Sequence, residues 1–145
     1  MNLVFEPISL DRQTDYLKLL NGCPQVASDY SFLNLWAWAD EYGLDWAWEE
    51  YFVWIRQTRP ETLFWAPVGS WDEIDWRSRI DLDRNLRTSI IRVPELLAES
   101  WRETFGDSLS VDEDRGHWDY IYAVNELTEL KGNRFHKKKN LFNQF

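Results

Sequence analysis

The sequence holds one cysteine, Cys23, in 145 residues. No intramolecular disulfide can form, and no cysteine-based metal site can be assembled, so a reducing compartment is the simpler expectation. Long apolar runs are missing too. The longest cover about five residues, at 35–39 and 51–55, against the roughly 20 that a membrane-spanning helix needs. The opening Met1-Asn2-Leu3-Val4-Phe5-Glu6-Pro7 lacks a basic stretch and soon meets a carboxylate and a proline, the reverse of a secretory signal. A cytosolic protein is expected. Histidine is scarce: His117 and His136 are the only two, and neither has a Ser or Cys neighbour in sequence that suggests a hydrolase triad.

Aromatic side chains are plentiful, with 10 Trp, 6 Tyr and 8 Phe, and the chain is 44% hydrophobic and 28% charged. That much apolar surface excludes a disordered or low-complexity polymer and suits one folded domain, or half of a longer protein. The net charge of −9 argues against a surface that binds nucleic acid all over. The charge is divided along the chain. Residues 1–130 carry 11 basic side chains against all 25 acidic ones, whereas 131–145 carry five basic and no acidic side chains. Three roles are open to this terminal block: a solvated tail, a segment docked on an acidic body, or a contact for a polyanion such as phosphate, RNA or an anionic head group. Five cations neutralise only a few phosphates, so any nucleic-acid affinity is expected to be modest and steeply salt-dependent.

Periodicity predicts the elements. Leu3-Val4-Phe5 reads as a short strand. Ser9 or Asp11 caps a helix with Tyr16, Leu17 and Leu20 on one face, ended by Gly22 and Pro24. Phe32, Leu35, Trp36 and Ala39 follow helical spacing behind Ser28, Asp29 and Ser31 and stop at Gly43. At 44–48 and 51–55 the period becomes two, around a Glu49-Glu50 turn, which predicts a hairpin. Residues 63–68 suit a buried strand. Ser70-Trp71-Asp72-Glu73 has the form of a capping box, opening a helix to about residue 85. Residues 89–93 read as a strand. Pro94 at the first helical position leads a helix through Leu97, Trp101 and Phe105 to Gly106. Leu109 and Val111, a turn at Asp114-Arg115-Gly116, and Trp118, Tyr120, Tyr122 and Val124 predict a second hairpin. The sum is a mixed α/β (α+β) domain in three layers with a largely antiparallel sheet. Trp36, Trp46, Trp48, Trp101 and Trp118 fall on apolar stripes and are expected in the core. Trp38, Trp54, Trp71 and Trp76 are the expected members of an exposed patch. The acidic clusters at Asp72-Glu73-Asp75, Asp81-Asp83 and Asp112-Glu113-Asp114 lack calcium-loop spacing and read as solvated faces.

This order resembles that of the GNAT acyltransferase fold. The closing segment is more specific: Trp118-Asp119-Tyr120-Ile121-Tyr122, then Glu126-Leu127-Thr128-Glu129-Leu130-Lys131-Gly132-Asn133-Arg134-Phe135-His136-Lys137-Lys138-Lys139-Asn140, with Phe145 at the end. It resembles the signature of the phosphatidylglycerol lysyltransferase C-terminal-domain family, mostly uncharacterised cytosolic bacterial proteins. Ser31-Phe32, Asn34-Leu35 and Trp38, and the step Arg92-Val93-Pro94-Glu95, also match. The resemblance implies a tandem GNAT-like protein, with residues 1–125 as a GNAT-like domain and 126–145 as a basic connecting segment leading into a second half. It implies that transfer chemistry depends mainly on that second half, so no catalytic residue is assigned to this chain. It further implies that Lys131, Arg134, His136, Lys137, Lys138, Lys139 and Asn140 meet a phosphate-bearing substrate such as aminoacyl-tRNA. The partner is then the second GNAT-like half or another copy of the protein. Asn133 and Lys139 stand where the family usually has Arg, which removes two-pronged anion recognition at both positions. An acyl-CoA cofactor would sit at the turn Pro67-Val68-Gly69-Ser70-Trp71, where a GNAT enzyme has a glycine-rich pyrophosphate loop. With one glycine there, no cofactor is the expectation. Two alternatives stay open: a non-enzymatic protein-interaction module, and a free-standing acetyl-CoA-dependent N-acetyltransferase.

Overall fold

A computed structural model describes residues 3–72, 74–80 and 89–144. The chain divides into two compact units, Met1–Asp114 and Arg115–Phe145. The division falls eleven residues before the boundary expected at 125.

The first unit is built on a five-stranded mixed sheet in the order β1-β2-β3-β4-β5. Its strands are β1 (Glu6–Pro7), β2 (Asp45–Trp48), β3 (Phe52–Gln57), β4 (Leu63–Gly69) and β5 (Ile90–Ile91). Neighbours from β1 to β4 run antiparallel, and β4 pairs in parallel with β5. The helices of this unit are α1 (Gln13–Asn21), α2 (Phe32–Tyr42), α3 (Trp76–Arg79) and α4 (Glu95–Phe105). The predicted order therefore holds from the first strand through α4, as a mixed and largely antiparallel α/β arrangement.

The expected β2–β3 hairpin forms, with Trp48 opposite Val53 and Trp46 opposite Ile55. Val53, Trp54 and Ile55 are all buried, because aromatic layers cover both faces of the sheet. On one side Tyr16 of α1 stacks on Trp46 at 5.7 Å, with Phe32 of α2 at 6.4 Å from the same indole. On the other, Phe52 meets Trp76 at 5.7 Å, and Trp76 meets Trp101 of α4 edge-on at 5.5 Å. In β4 the register shifts between Val53 and Ile55, which face Val68 and Trp65. The extra residue falls at Ala66-Pro67, where proline has no N–H for the ladder and a bulge is the natural accommodation.

Local chemistry sets the helix ends. The Ser31 hydroxyl accepts a hydrogen bond from the Asn34 N–H at 3.2 Å and caps α2, and Gly43 closes the helix at φ +57°. At α4 the side-chain oxygen of Gln25 accepts the Leu96 N–H at 2.9 Å, a cap supplied from a distant loop. Loop and sheet are tied further by a relay. The Tyr16 hydroxyl donates to the Tyr30 carbonyl at 2.6 Å, and the Tyr30 hydroxyl donates to the Arg92 carbonyl at 2.8 Å.

Several expectations are corrected. The first strand sits at Glu6–Pro7 rather than at Leu3-Val4-Phe5, because only that stretch meets β2. Leu17 points outward while Leu19 and Leu20 pack against the core. The helix expected from Ser70 begins at Trp76, and Glu73 and residues 81–88 lie outside the described residues, including Asp81 and Asp83. Pro94 precedes α4 as its cap, one position earlier than expected. Trp54, Trp71 and Trp76 are buried, whereas Trp36 is 47% and Trp118 55% exposed. Only Trp38 of the expected surface set is exposed, and Trp48 is half-buried. A sheet buried on both faces removes the contrast on which alternation depends, so the pattern cannot sort these indoles. The second hairpin does not form: no strand is assigned between 109 and 123. A two-stranded ribbon without an apolar surface to pack on is marginal.

Tyr30→Phe removes the donor to the Arg92 carbonyl and should cost about 1–2 kcal/mol; Trp36→Ser, on the exposed face of α2, should change stability by less than about 0.5 kcal/mol. Urea unfolding measures both. Burial raises the thiol pKa of Cys23 and the phenol pKa values of Tyr16 and Tyr30. Each proton is held more tightly in the folded state than in the unfolded chain, so stability is full at neutral pH. It should fall as pH rises past about 9 and more steeply past about 10, where the unfolded thiol and phenols ionise. Unfolding midpoints between pH 7 and 11 check the sign.

Candidate functional site

The second unit carries the basic block. Its first helix, α5 (Val124–Glu129), begins where the Glu126 carboxylate accepts the Ala123 N–H at 3.3 Å. It ends at Leu130, which takes a left-handed conformation, and Gly132 follows at φ +92°. A Cβ at Gly132 would meet nothing within 4 Å. Glycine is therefore suited here by backbone angle and not by crowding. A short turn at Asn133–Phe135 then enters α6 (His136–Phe142). Phe135 is buried, with its ring 5.9 Å from Tyr122 and the Arg134 guanidinium 4.7 Å above it. The Lys138 ammonium lies 5.2 Å from the Tyr122 ring.

This turn opens a shallow depression of about 340 Å³ lined by Leu130, Lys131, Gly132, Asn133, His136 and Lys139. His136 and Lys139 are three apart on α6, which puts them on one face. Of the expected substrate-binding residues, Lys131, His136 and Lys139 are brought together here. Arg134, Lys137, Lys138 and Asn140 do not line the depression. Arg134 pairs with Glu126, and Lys131 with Glu129 at 2.9 Å. Among the described residues Lys137, Lys138 and Lys139 make no ion pair. Both pairs are on the surface, where a carboxylate is readily exchanged for another anion. Sequence reasoning passed over Gly132 as a lining residue. Its signal was a lone glycine between an apolar helix end and a basic run.

The turn after β4 is arranged for a different purpose. Gly69 has φ +147°, and a Cβ there would lie 2.2 Å from the Tyr51 carbonyl oxygen and 2.6 Å from the Phe52 Cα. The glycine admits the neighbouring strand. The Ser70 N–H donates to Tyr51 O at 3.0 Å, and the buried Trp71 indole N–H donates to Pro67 O at 3.0 Å. Both donors are thus engaged within the first unit, and the next helix, α3, has four residues. His117 lies in an exposed turn at Arg115–His117. Among the described residues, no group of three or more His, Cys, Asp or Glu side chains could hold a metal ion. No helix among them is long and apolar enough to cross a membrane.

The other matching motifs meet in the first unit. Arg92 pairs with Asp29, lies 4.2 Å over the Trp65 ring, and gives its carbonyl to Tyr30, beside the Ser31 cap. These residues hold structure together.

A family model described as phosphatidylglycerol lysyltransferase, C-terminal, matches residues 21–145. The chain belongs to that family. A search of curated proteins found no match. Among solved structures, a conserved protein of unknown function from Bacteroides thetaiotaomicron VPI-5482 superposes with a TM-score of 0.78 at 22% identity. The match covers 99% of this chain and 50% of that protein. This member of the phosphatidylglycerol lysyltransferase C-terminal family thus spans half the length of its structural relative, with which it shares the fold.

Phe135→Ala should loosen the turn that organises the basic block, accelerating amide exchange across 131–142 by about 10-fold or more. Hydrogen exchange resolved along the peptide checks this.

Proposed function

We propose that this chain is a non-catalytic, substrate-docking half of an aminoacyl- or acyltransferase-like protein. In this reading its basic block receives the phosphates of a substrate such as aminoacyl-tRNA. The observation that carries it is the convergence of Lys131, His136 and Lys139 on one open depression, beside Lys137 and Lys138, which make no ion pair among the described residues. Ammonium groups attract phosphate as point charges. The His136 ring and the Asn133 amide add hydrogen-bond donors at the same place. The family match supports a transferase-related role, and the half-length match to the Bacteroides protein supports action alongside a second half. The element order from β1 to α4 agrees with the GNAT resemblance and supports a GNAT-like origin. Such a docking half would work in the cytoplasm, where charged tRNA is found.

In this arrangement the chain orients and concentrates substrate, and bond-making groups come from the other half. A free-standing acetyl-CoA enzyme is less favoured, because Gly69 and the Ser70 N–H are engaged by Tyr51. A protein-interaction module is favoured by one separate observation, the exposed Leu33, Trp36 and Trp38 on α2.

Titrating the chain with aminoacylated tRNA by fluorescence anisotropy tests the docking reading. About three phosphates neutralised give a slope near −2 in log K against log salt. Lys137→Ala, Lys138→Ala and Lys139→Ala together should weaken the binding and flatten its salt dependence, leaving only what Lys131 and Arg134 contribute. Binding that is absent at low salt, or indifferent to the triple substitution, would reject the proposal.

A further inference from the structure

One face of α1, with Arg12 just before it, and the turn end of the β2–β3 hairpin frame a second depression, of about 260 Å³, whose lining belongs wholly to the first unit. Aromatic packing brings the two together. Tyr16 seats α1 on Trp46, and Trp48 meets Trp46 edge-on at 5.0 Å, so the end of the hairpin lies beside the helix. Trp48 and Leu19 supply the apolar part of the lining. The Arg12 guanidinium lies 4.1 Å over the Trp48 ring, and a guanidinium stacked by its face keeps its N–H edge for a planar anion. The charges here sort into pairs and a remainder. Lys18 binds Asp15 at 2.9 Å, and Glu49 binds Arg79 at 3.2 Å. Two opposite charges are left over. Arg12 meets Glu6 only at 3.9 Å, and its Nε–H, like the Trp48 indole N–H, is buried without an acceptor among the described residues. Glu50, in the hairpin turn, makes no ion pair among the described residues.

We propose that this depression binds a small zwitterion, an α-amino acid with an apolar side chain. The carboxylate of the ligand pairs with Arg12, its ammonium with Glu50, and its side chain lies against Trp48 and Leu19. A ligand of one sign is disfavoured by the same lining. A plain anion meets the carboxylates of Asp15, Glu49 and Glu50, and a plain cation meets Arg12 and Lys18. Only a molecule carrying both charges completes both of the unpaired groups. The volume agrees, since it lies below the roughly 300 Å³ at which pockets for drug-sized ligands begin. This site goes beyond the docking reading above and does not depend on it: it lies in the other unit and selects a balanced ligand instead of a polyanion.

The test follows the Trp48 indole N–H resonance of the 145-residue chain, assigned with Trp48→Phe, as leucine is added to about 50 mM, enough to reveal a millimolar Kd. Leucine should shift the resonance saturably. N-acetylleucine lacks the ammonium and leucine amide lacks the carboxylate, so each should bind about 10-fold or more weakly. Glu50→Gln and Arg12→Gln should each weaken leucine by about 10-fold. Glu50 lies in the hairpin turn and outside the core cluster, so a folding defect does not stand in for its effect. Lys137→Ala, Lys138→Ala and Lys139→Ala together should leave leucine binding unchanged. No saturable shift, an equal response to either analogue, or indifference to Glu50→Gln overturns the proposal and leaves the docking reading standing. Loss of leucine binding in the triple lysine variant also overturns it, because the site is then not confined to the first unit.

Discussion

Arg92 is held from several directions, and much of the first unit depends on that clamp. It follows directly on β5, takes φ +57°, pairs with Asp29, covers the Trp65 ring and offers its carbonyl to Tyr30. A left-handed non-glycine residue costs about 1 kcal/mol, and here the surrounding contacts offset it. The result fixes a two-residue parallel strand, too short to hold itself, against the entry to α2. Tyr16 extends the relay to α1, and Gln25 in the same loop caps α4. Helices from both layers are thereby tied to one loop.

The second unit is organised on different terms. Its one deeply buried large side chain among the described residues is Phe135, under Tyr122 and Arg134. Around it, cations are spread over a turn whose shape comes from Leu130 and Gly132. A small aromatic anchor surrounded by exposed cations concentrates positive charge on one surface, where it raises the local concentration of anions.

Much of the fold was legible in the residues. Ser31 before Phe32 and Leu35, with Gly43 beyond, specified α2 with its cap and its stop. Leu97, Trp101 and Phe105 specified α4. Glu49-Glu50 between alternating segments specified the central hairpin. The site was legible in part: the charge run pointed to Lys131, His136 and Lys139, while the ion pairs of Lys131 and Arg134 could not be read from it. Pairing depends on where Glu126 and Glu129 come to lie after Leu130 turns the chain.

By itself the sequence determined the local elements, the division of charge between body and terminus, and the family, because caps, periods and motifs act over a few residues. Only the tertiary structure decided which indoles are buried. Trp54 and Trp76 lie beneath helices that their own neighbours do not announce, and Trp36 lies at the open edge of a stripe whose Phe32 and Leu35 are buried. It also decided that residues 118–122, patterned as a strand, lie in none, since a strand's partner is always another piece of chain.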